Sequence, residues 1–259
     1  MKKSIYITSV RPKLLTRLLR SVKEQNALPG WNVYLFLQCY TKDEYFDLSN
    51  EFKDLISDVI LSDVRVEPYV ARTSLIAKFQ SDIYCIWDDD MVMMPMLNYN
   101  TIVDFLRENI HAGMVSGNWV RANTAKMMSR KRYEDKFVNQ KIVYTGGGLL
   151  FRHDVAQSIL SFPIKGYLYD DVQLSLNAYI SGYENYRYLG SVIEHNIVSQ
   201  GGIKTLYKER SMVLLDDTLI TLTPCTSIYE HQSNNFYMPQ SKDLTPLAHQ
   251  LHNQNKVTI

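Results

Sequence analysis

At 259 residues, with 46% apolar and 21% charged residues, the chain has the composition of a soluble globular protein with one large domain or two small ones. Its net charge of +1 gives no indication of a polyanionic partner, and its three widely separated cysteines exclude a disulfide framework or a zinc site. No run is apolar enough to cross a bilayer and no signal-peptide pattern opens the chain, so we expect a cytoplasmic protein.

Strand-like and helix-like segments alternate from the N-terminus. A strand over 5–10 is followed by a helix over 13–25, where leucines recur at helical spacing, and then by a buried strand over 31–39. Because the links are short, these three elements make a βαβ unit and indicate a parallel sheet. The pattern then predicts a helix at 42–56, a short strand at 58–61 and a helix at 72–80.

The alternation continues as far as residue 195. The predicted elements are a strand at 83–87, a helix at 100–109, a strand at 114–120, an apolar stretch at 142–152 that a triple glycine interrupts, helices at 153–162 and 169–181, and a last strand at 186–195. Residues 121–141 are basic and lack an apolar face. We therefore interpret them as a mobile or surface segment inserted into the fold.

The pattern weakens beyond residue 196, where only 204–215 fits a helix. From residue 221 onward the chain is polar and irregular, which predicts a tail that wraps the core or is partly mobile. No internal repeat or flexible linker divides the chain. We predict one α/β domain over 1–198 and a C-terminal extension over 199–259 that packs on it.

Three consecutive carboxylates, Asp88, Asp89 and Asp90, end the buried strand at 83–87. They would repel one another without a positive partner, and a divalent cation is the simplest one because hard cations take oxygen ligands. Ligands of open α/β sheets bind just beyond the carboxyl ends of the strands. A metal site at the mouth of a sheet is one interpretation, and an aspartate-rich turn that caps the next helix is the other.

Three further features each have a functional and a structural interpretation. Gly146, Gly147 and Gly148 let a backbone pass close to a ligand, or make a tight turn. Asp170 and Asp171 open a helix, where carboxylates are either functional or favoured by the helix dipole. His195 ends the last strand, as a metal ligand or as a structural histidine.

In this order, the segments resemble the nucleotide-sugar-dependent glycosyltransferases of the GT-A fold, most closely those of family 2 type. The resemblance runs from Ile5 to about His195. It is carried by the opening strand and helix from Ile7 to Val22, by Ala71 to the DxD motif at Asp88–Asp90, by Gly146–Arg152, and by Tyr169–Leu174, where Asp170 replaces the Glu of the family's ED-x-x-L pattern. The implied fold is a Rossmann-like, mostly parallel sheet flanked by helices.

The resemblance implies a role for each motif. Asp88 and Asp90 match the residues that bind Mn²⁺ or Mg²⁺ bridged to the donor diphosphate, whose developing charge the metal neutralises. His195 matches a third metal ligand. Asp171, or Asp170 beside it, matches the general base that deprotonates the acceptor hydroxyl in inverting members. The resemblance places donor contacts at Thr8, Ser9, Arg11, Arg72, Lys78, Asp88, Asp89, Gly146, Gly147 and Gly148.

We therefore expect transfer from a nucleoside-diphosphate sugar, with UDP-sugar as the expected donor and inversion favoured over retention. The acceptor is either a cell-envelope saccharide or lipid-linked precursor, or hydroxymethylated cytosine in DNA, as in phage enzymes. Arg130, Lys131 and Arg132 would then contact the acceptor or its phosphates, unless they form a solvated loop.

Two other classes of α/β protein also use carboxylates at strand ends. One is a non-catalytic nucleotide-binding module, which would have no need of an acid at position 171. The other is a metal-dependent nucleotidyltransferase, which is disfavoured because Thr8–Pro12 contains none of the glycines that such enzymes carry after the first strand.

Overall fold

The computed structural model describes residues 1–26, 28–95, 97–121, 134–140, 143, 145–160 and 170–195, without the side chains of Arg121, Asp170 and Val172. Within these residues nine strands form one sheet and six helices flank it. The strands are β1 (Lys3–Ser9), β2 (Trp31–Gln38), β3 (Ile56–Ser62), β4 (Ile83–Asp88), β5 (Met91–Val92), β6 (Ala112–Arg121), β7 (Phe137–Gln140), β8 (Leu149–Arg152) and β9 (Glu184–His195). The helices are α1 (Pro12–Gln25), α2 (Lys42–Glu51), α3 (Pro68–Lys78), α4 (Tyr99–Glu108), α5 (His153–Leu160) and α6 (Asp170–Ile180).

The described strands lie in the order β3-β2-β1-β4-β8-β6-β9-β5, and β7 pairs with β9 beside this path. Pairing is parallel from β3 to β4 and between β6 and β9, which the helical crossovers of the N-terminal half require. It is antiparallel where β8 meets β4 and β6, and where β5 and β7 meet β9. The predicted α/β class is confirmed, with parallel pairing concentrated in the N-terminal half.

The sheet has a hydrophobic core on each face, because successive strand residues point to opposite sides. In β4, Cys85 and Trp87 join the core under α1, α2 and α4, whereas Tyr84 and Ile86 join the core under α3, α5 and α6. All four side chains are fully buried. A continuous apolar run such as 83–87 is therefore what a strand covered on both faces needs.

Arg152 ties β8 to the end of α4. Its guanidinium donates hydrogen bonds to the backbone carbonyls of Leu106, Asn109, Ile110 and Ala112, at 2.7–3.0 Å. The last carbonyls of a helix lack partners within the helix, and a cation at that end also suits the helix dipole. The arginine that closes the glycine-containing motif is therefore a structural residue that lies away from the aspartate cluster.

Two strands differ from the sequence prediction. β5 has only two residues, too few for a periodic pattern, and the sequence predicted no element between 87 and 100. β7 lies inside the stretch 121–141 that we interpreted as a mobile or surface insertion, and for residues 137–140 that interpretation is wrong. Phe137 stacks on Phe105 and Tyr188, with ring centroids 3.8 and 4.6 Å apart. These long-range partners are not visible in a four-residue pattern.

Other differences concern element ends and undescribed residues. Helix α2 ends at Glu51 instead of residue 56, because Ile56 already begins β3. Helix α3 starts at Pro68 instead of Arg72, with proline in the first turn, where its missing N–H costs nothing. The C-terminal extension, its helix at 204–215 and most of the basic stretch lie outside the described residues. Among the described helices, none has the length and apolarity that a membrane crossing requires.

Candidate active site

Three strands, β1, β4 and β9, end at the same edge of the sheet, with β8 and β6 between β4 and β9. β1 and β4 are parallel neighbours, in a register that pairs Thr8 with Asp88. β9 runs in the same direction as β4, because it is parallel to β6 and both β4 and β6 are antiparallel to β8. The residues at these ends, Ser9, Asp88 and His195, therefore all lie at the edge where open α/β sheets bind ligands.

The short strand β5 brings Asp90 to His195. The chain turns back after Asp88, and Met91 pairs with His195 itself. As a result, His195 Nε2 lies 3.0 Å from Asp90 Oδ1 and 3.5 Å from Asp88 Oδ2. One ligand atom from each of these three residues lies within 4.8 Å of the other two. Their donor set of two carboxylates and one imidazole fits a divalent cation.

The net charge around this cluster is negative, which also favours a bound cation. The described side chains are four carboxylates and two guanidinium groups, from Asp88, Asp89, Asp90, Asp171, Arg11 and Arg72. When the imidazole is neutral, this leaves two negative charges, which one divalent ion balances. Burial would lower the pKa of His195, but a hydrogen bond with Asp90 and the charge of Asp88 raise it.

Asp89 points into the protein and anchors Arg11. Only 3% of Asp89 is exposed, and its carboxylate accepts from Ser9 Oγ at 2.6 Å and from both Nε and Nη2 of Arg11. Arg11 also lies 3.3 Å from Asp90. Burial works against the charge of Arg11, but the hydrogen bond and charge of Asp89 outweigh it and raise the pKa of Arg11. The middle carboxylate therefore holds a cationic side chain at the end of β1.

Arg72 approaches the cluster from α3. Its Nη2 donates to Asp88 Oδ1 at 2.5 Å, and only 5% of its side chain is exposed. Burial opposes ionisation of Asp88, but the charges of Arg72 and His195 outweigh it and lower the pKa of Asp88. Asp88 is therefore held as a carboxylate, the form that binds metal.

Thr145 joins the cluster to Asp171. It lies in a short 3-10 turn, Thr145–Gly147, just before β8. Its Oγ1 is 2.9 Å from Asp88 Oδ2 and 3.1 Å from Asp171 Oδ2, and its backbone N–H donates to the same oxygen of Asp171 at 3.1 Å. The structure thus brings Asp171, at the start of α6, to the same edge as Asp88.

The three glycines after Thr145 meet other parts of this protein. A side chain at Gly147 would overlap the backbone of Gly117, and one at Gly146 would lie about 2.8 Å from the Trp119 ring. Gly148 has φ +78° and faces the Tyr99 hydroxyl. Close internal packing and a left-handed turn therefore account for these glycines. Their contact with a donor sugar stays a prediction.

The remaining predicted residues divide into three groups. Thr8 lies at the end of β1 beside Asp88, with the other strand-end residues. Lys78 is exposed at the last turn of α3, with Nζ 4.8 Å from the centre of the Phe79 ring, and the structure does not bring it to the cluster. Arg130, Lys131 and Arg132 and the side chain of Asp170 lie outside the described residues.

Two residues of the site were missing from the prediction. Thr145 precedes the triple glycine directly, so its hydroxyl beside a tight turn was the available signal. Tyr40 follows β2, and its hydroxyl lies 2.9 Å from Ser9 Oγ, which fixes the serine that holds Asp89. Nothing local to Tyr40 distinguishes it among the 18 tyrosines of the chain.

Comparison with known proteins identifies the fold. No family model matches the sequence, and no curated protein matches it. TarS 1–349 from S. aureus in complex with UDP-GlcNAc superimposes with a TM-score of 0.60 at 12% identity, over 84% of this chain and 66% of that one. The complex of TarS 1–349 with UDP gives a TM-score of 0.61 at 12% identity, over 98% and 70%.

A third solved structure comes from another organism. The mannosyltransferase PcManGT from Pyrobaculum calidifontis, in complex with GDP-Man and Mn²⁺, gives a TM-score of 0.62 at 15% identity, over 98% of this chain and 69% of that one. The present chain thus spans about two thirds of the length of these proteins. Its fold is the GT-A-like fold of these glycosyltransferases, as predicted. Assignment to family 2 stays a prediction.

Proposed function

We propose that the chain is a glycosyltransferase that moves a sugar from a nucleoside-diphosphate sugar to an acceptor hydroxyl, with a divalent cation held by Asp88, Asp90 and His195. The observation that carries this proposal is the Asp88–Asp90–His195 cluster at the ligand-binding edge of a GT-A-like sheet. Solved proteins with this fold bind UDP-GlcNAc, or GDP-Man with Mn²⁺.

The residues around the cluster suit a diphosphate leaving group. A bound cation would offset the negative charge that develops on the diphosphate as its bond to the sugar breaks. Arg11 and Arg72 add fixed positive charge beside the same carboxylates. Mn²⁺ is favoured over Mg²⁺, because one of the three ligands is an imidazole and Mg²⁺ takes oxygen ligands.

Asp171 is the residue we assign as general base, with Asp170 as the alternative. The acceptor oxygen forms a bond to the anomeric carbon, the bond from that carbon to the diphosphate oxygen breaks, and the acceptor proton passes to the carboxylate. A single displacement of this kind inverts the anomeric centre. The hydrogen bond from the Thr145 backbone N–H supports the assignment, because it holds the Asp171 carboxylate beside the metal ligands, with the Thr145 hydroxyl 3.1 Å from the same oxygen.

The acceptor that we propose is a cell-envelope saccharide or lipid-linked precursor, reached from the cytoplasm. The alternative, hydroxymethylated cytosine in DNA, depends on Arg130, Lys131 and Arg132, which lie outside the described residues. A non-catalytic nucleotide-binding module is the alternative of another class. It is disfavoured because Asp171 is partly buried and held by the Thr145 backbone N–H beside the cluster.

A thermal-shift screen of nucleotide sugars tests the donor and the metal together. We expect one donor, UDP-linked before GDP-linked, to raise the melting temperature by about 5–10 °C at a hundredfold excess over its Kd, and only with Mn²⁺ present. Mn²⁺ alone and donor with EDTA are the matched controls. Equal stabilisation by the donor in EDTA would contradict a diphosphate site built around a cation.

A further inference from the structure

The single hydroxyl hydrogen of Thr145 lies within hydrogen-bonding distance of two carboxylates. Its Oγ1 lies 2.9 Å from Asp88 Oδ2 and 3.1 Å from Asp171 Oδ2. A hydroxyl donates one hydrogen bond at a time, and an ionised carboxylate can only accept. The two carboxylates therefore compete for this hydrogen, while the backbone N–H of Thr145 stays on Asp171. Thr145 itself is 3% exposed.

The turn that carries Thr145 is fixed by the protein core. Tyr99 donates from its hydroxyl to the Gly147 carbonyl at 2.9 Å, and Trp87 Nε1 donates to the Tyr99 hydroxyl at 2.9 Å. Gly147 packs directly on the backbone of Gly117. Because Trp87 and Tyr99 are buried, these contacts fix the position of Thr145 without a ligand. The hydroxyl hydrogen of Thr145 can rotate toward either carboxylate.

We propose that Thr145 is a positioning residue that links metal binding at Asp88 to the orientation of Asp171. The proposal rests on the proposed function. Partners around a metal ligand orient it and tune the metal, and their loss typically lowers activity by about 10–100-fold. When Asp88 gives charge to a cation, its Oδ2 becomes a weaker acceptor, and the Thr145 hydrogen turns to Asp171. Metal binding at Asp88 would thus add a second hydrogen bond to Asp171 and fix the orientation of the base.

Thr145→Val removes the hydroxyl at nearly constant volume, and Thr145→Ser keeps it. Because the hydroxyl competes with a cation for Asp88 Oδ2, we expect the Val variant to bind Mn²⁺ about threefold to tenfold more tightly by electron paramagnetic resonance, without any donor. With Mn²⁺ and donor both saturating, its kcat should fall by about 10–100-fold, with the donor KM within about twofold. The Ser variant should restore both quantities. Thr73→Val is the matched control, because Thr73 is also buried but donates to the Tyr69 carbonyl inside α3.

The outcomes separate this proposal from the proposed function. Unchanged Mn²⁺ affinity and kcat in Thr145→Val, or loss of melting temperature alone, would overturn the positioning role. If the branched valine prevents folding, Thr145→Ala removes the same hydroxyl and decides by the same two readouts. A wild-type chain that binds Mn²⁺ but transfers no sugar refutes the proposed function. In that case the coupling between Asp88 and Asp171 can still be tested, because a Val variant with wild-type Mn²⁺ affinity overturns it. A wild-type chain that binds no Mn²⁺ overturns both.

Discussion

The Asp90→Asn variant is expected to lose sugar transfer by about 10³-fold in kcat/KM, because a cation contributes several kcal/mol to stabilising the leaving group. Asp90 is 7% exposed and lies 3.0 Å from His195 Nε2. Asparagine keeps the shape but removes the charge that binds a cation and pairs with Arg11. The measurement is release of nucleoside diphosphate and of glycosylated product, with Mn²⁺ varied from zero to saturation.

Asp104→Asn is the control for this variant. Asp104 lies on α4 with 62% of its side chain exposed, paired only loosely with Arg107 at 3.5 Å. A surface pair of this kind contributes little, so both activity and melting temperature should stay near the wild type. Two results would count against the metal assignment: Asp90→Asn with more than a tenth of wild-type activity, or a wild-type enzyme that is indifferent to EDTA.

Asp171→Asn is expected to separate binding from chemistry. General base catalysis contributes about 10²–10⁴-fold, so kcat should fall by that factor. Asp171 is not among the three residues of the metal cluster, and an asparagine oxygen can still accept from Thr145. Donor affinity in the presence of Mn²⁺ should therefore change by no more than a few-fold. Isothermal titration with donor and Mn²⁺, beside single-turnover product formation, measures the two effects.

Asp170 supplies the comparison for this variant. If Asp171 is the base, Asp170→Asn should keep kcat within about tenfold of the wild type, because a neighbour acts only through its charge. Near-normal turnover by Asp171→Asn together with loss of turnover by Asp170→Asn would move the base to Asp170. Full activity in both variants would mean that neither acid takes the acceptor proton. That result would favour a retaining mechanism, in which Asp171 does not act as this kind of base.

The fold was largely predictable because its signals are local. The run 83–87 is apolar at every position, as a strand covered on both faces must be, and it ends at the carboxylates. The leucines of α1 recur on one face because only that face meets the sheet. These periodicities depend on burial alone. The position of Asp88 at a ligand-binding edge followed from the strand that precedes it.

The contacts within the site were less accessible, because they depend on pairing between distant segments. Asp90 reaches His195 only through the two-residue strand β5, and 105 positions separate these two residues. Likewise, Asp89 turns inward to Arg11, a side chain 78 positions earlier. Neither pairing leaves a periodic trace in the sequence.

The glycines and Lys78 show a second reason. Gly147 and Gly148 are required by the Gly117 backbone and the Tyr99 hydroxyl, partners that only the folded sheet reveals. Lys78 has the right charge for a diphosphate, but it lies at the end of α3 over the Phe79 ring and not at the cluster. Residue type therefore indicated the right chemistry, while tertiary packing decided which residues could reach it.

Anomalous diffraction from crystals grown with Mn²⁺ and the nucleoside diphosphate of the selected donor tests the metal site most directly. We predict one strong manganese peak bound by Asp88, Asp90 and His195, with diphosphate oxygens completing its coordination. A manganese peak elsewhere on the protein, or a diphosphate bound at this edge without any metal contact, would contradict the assignment.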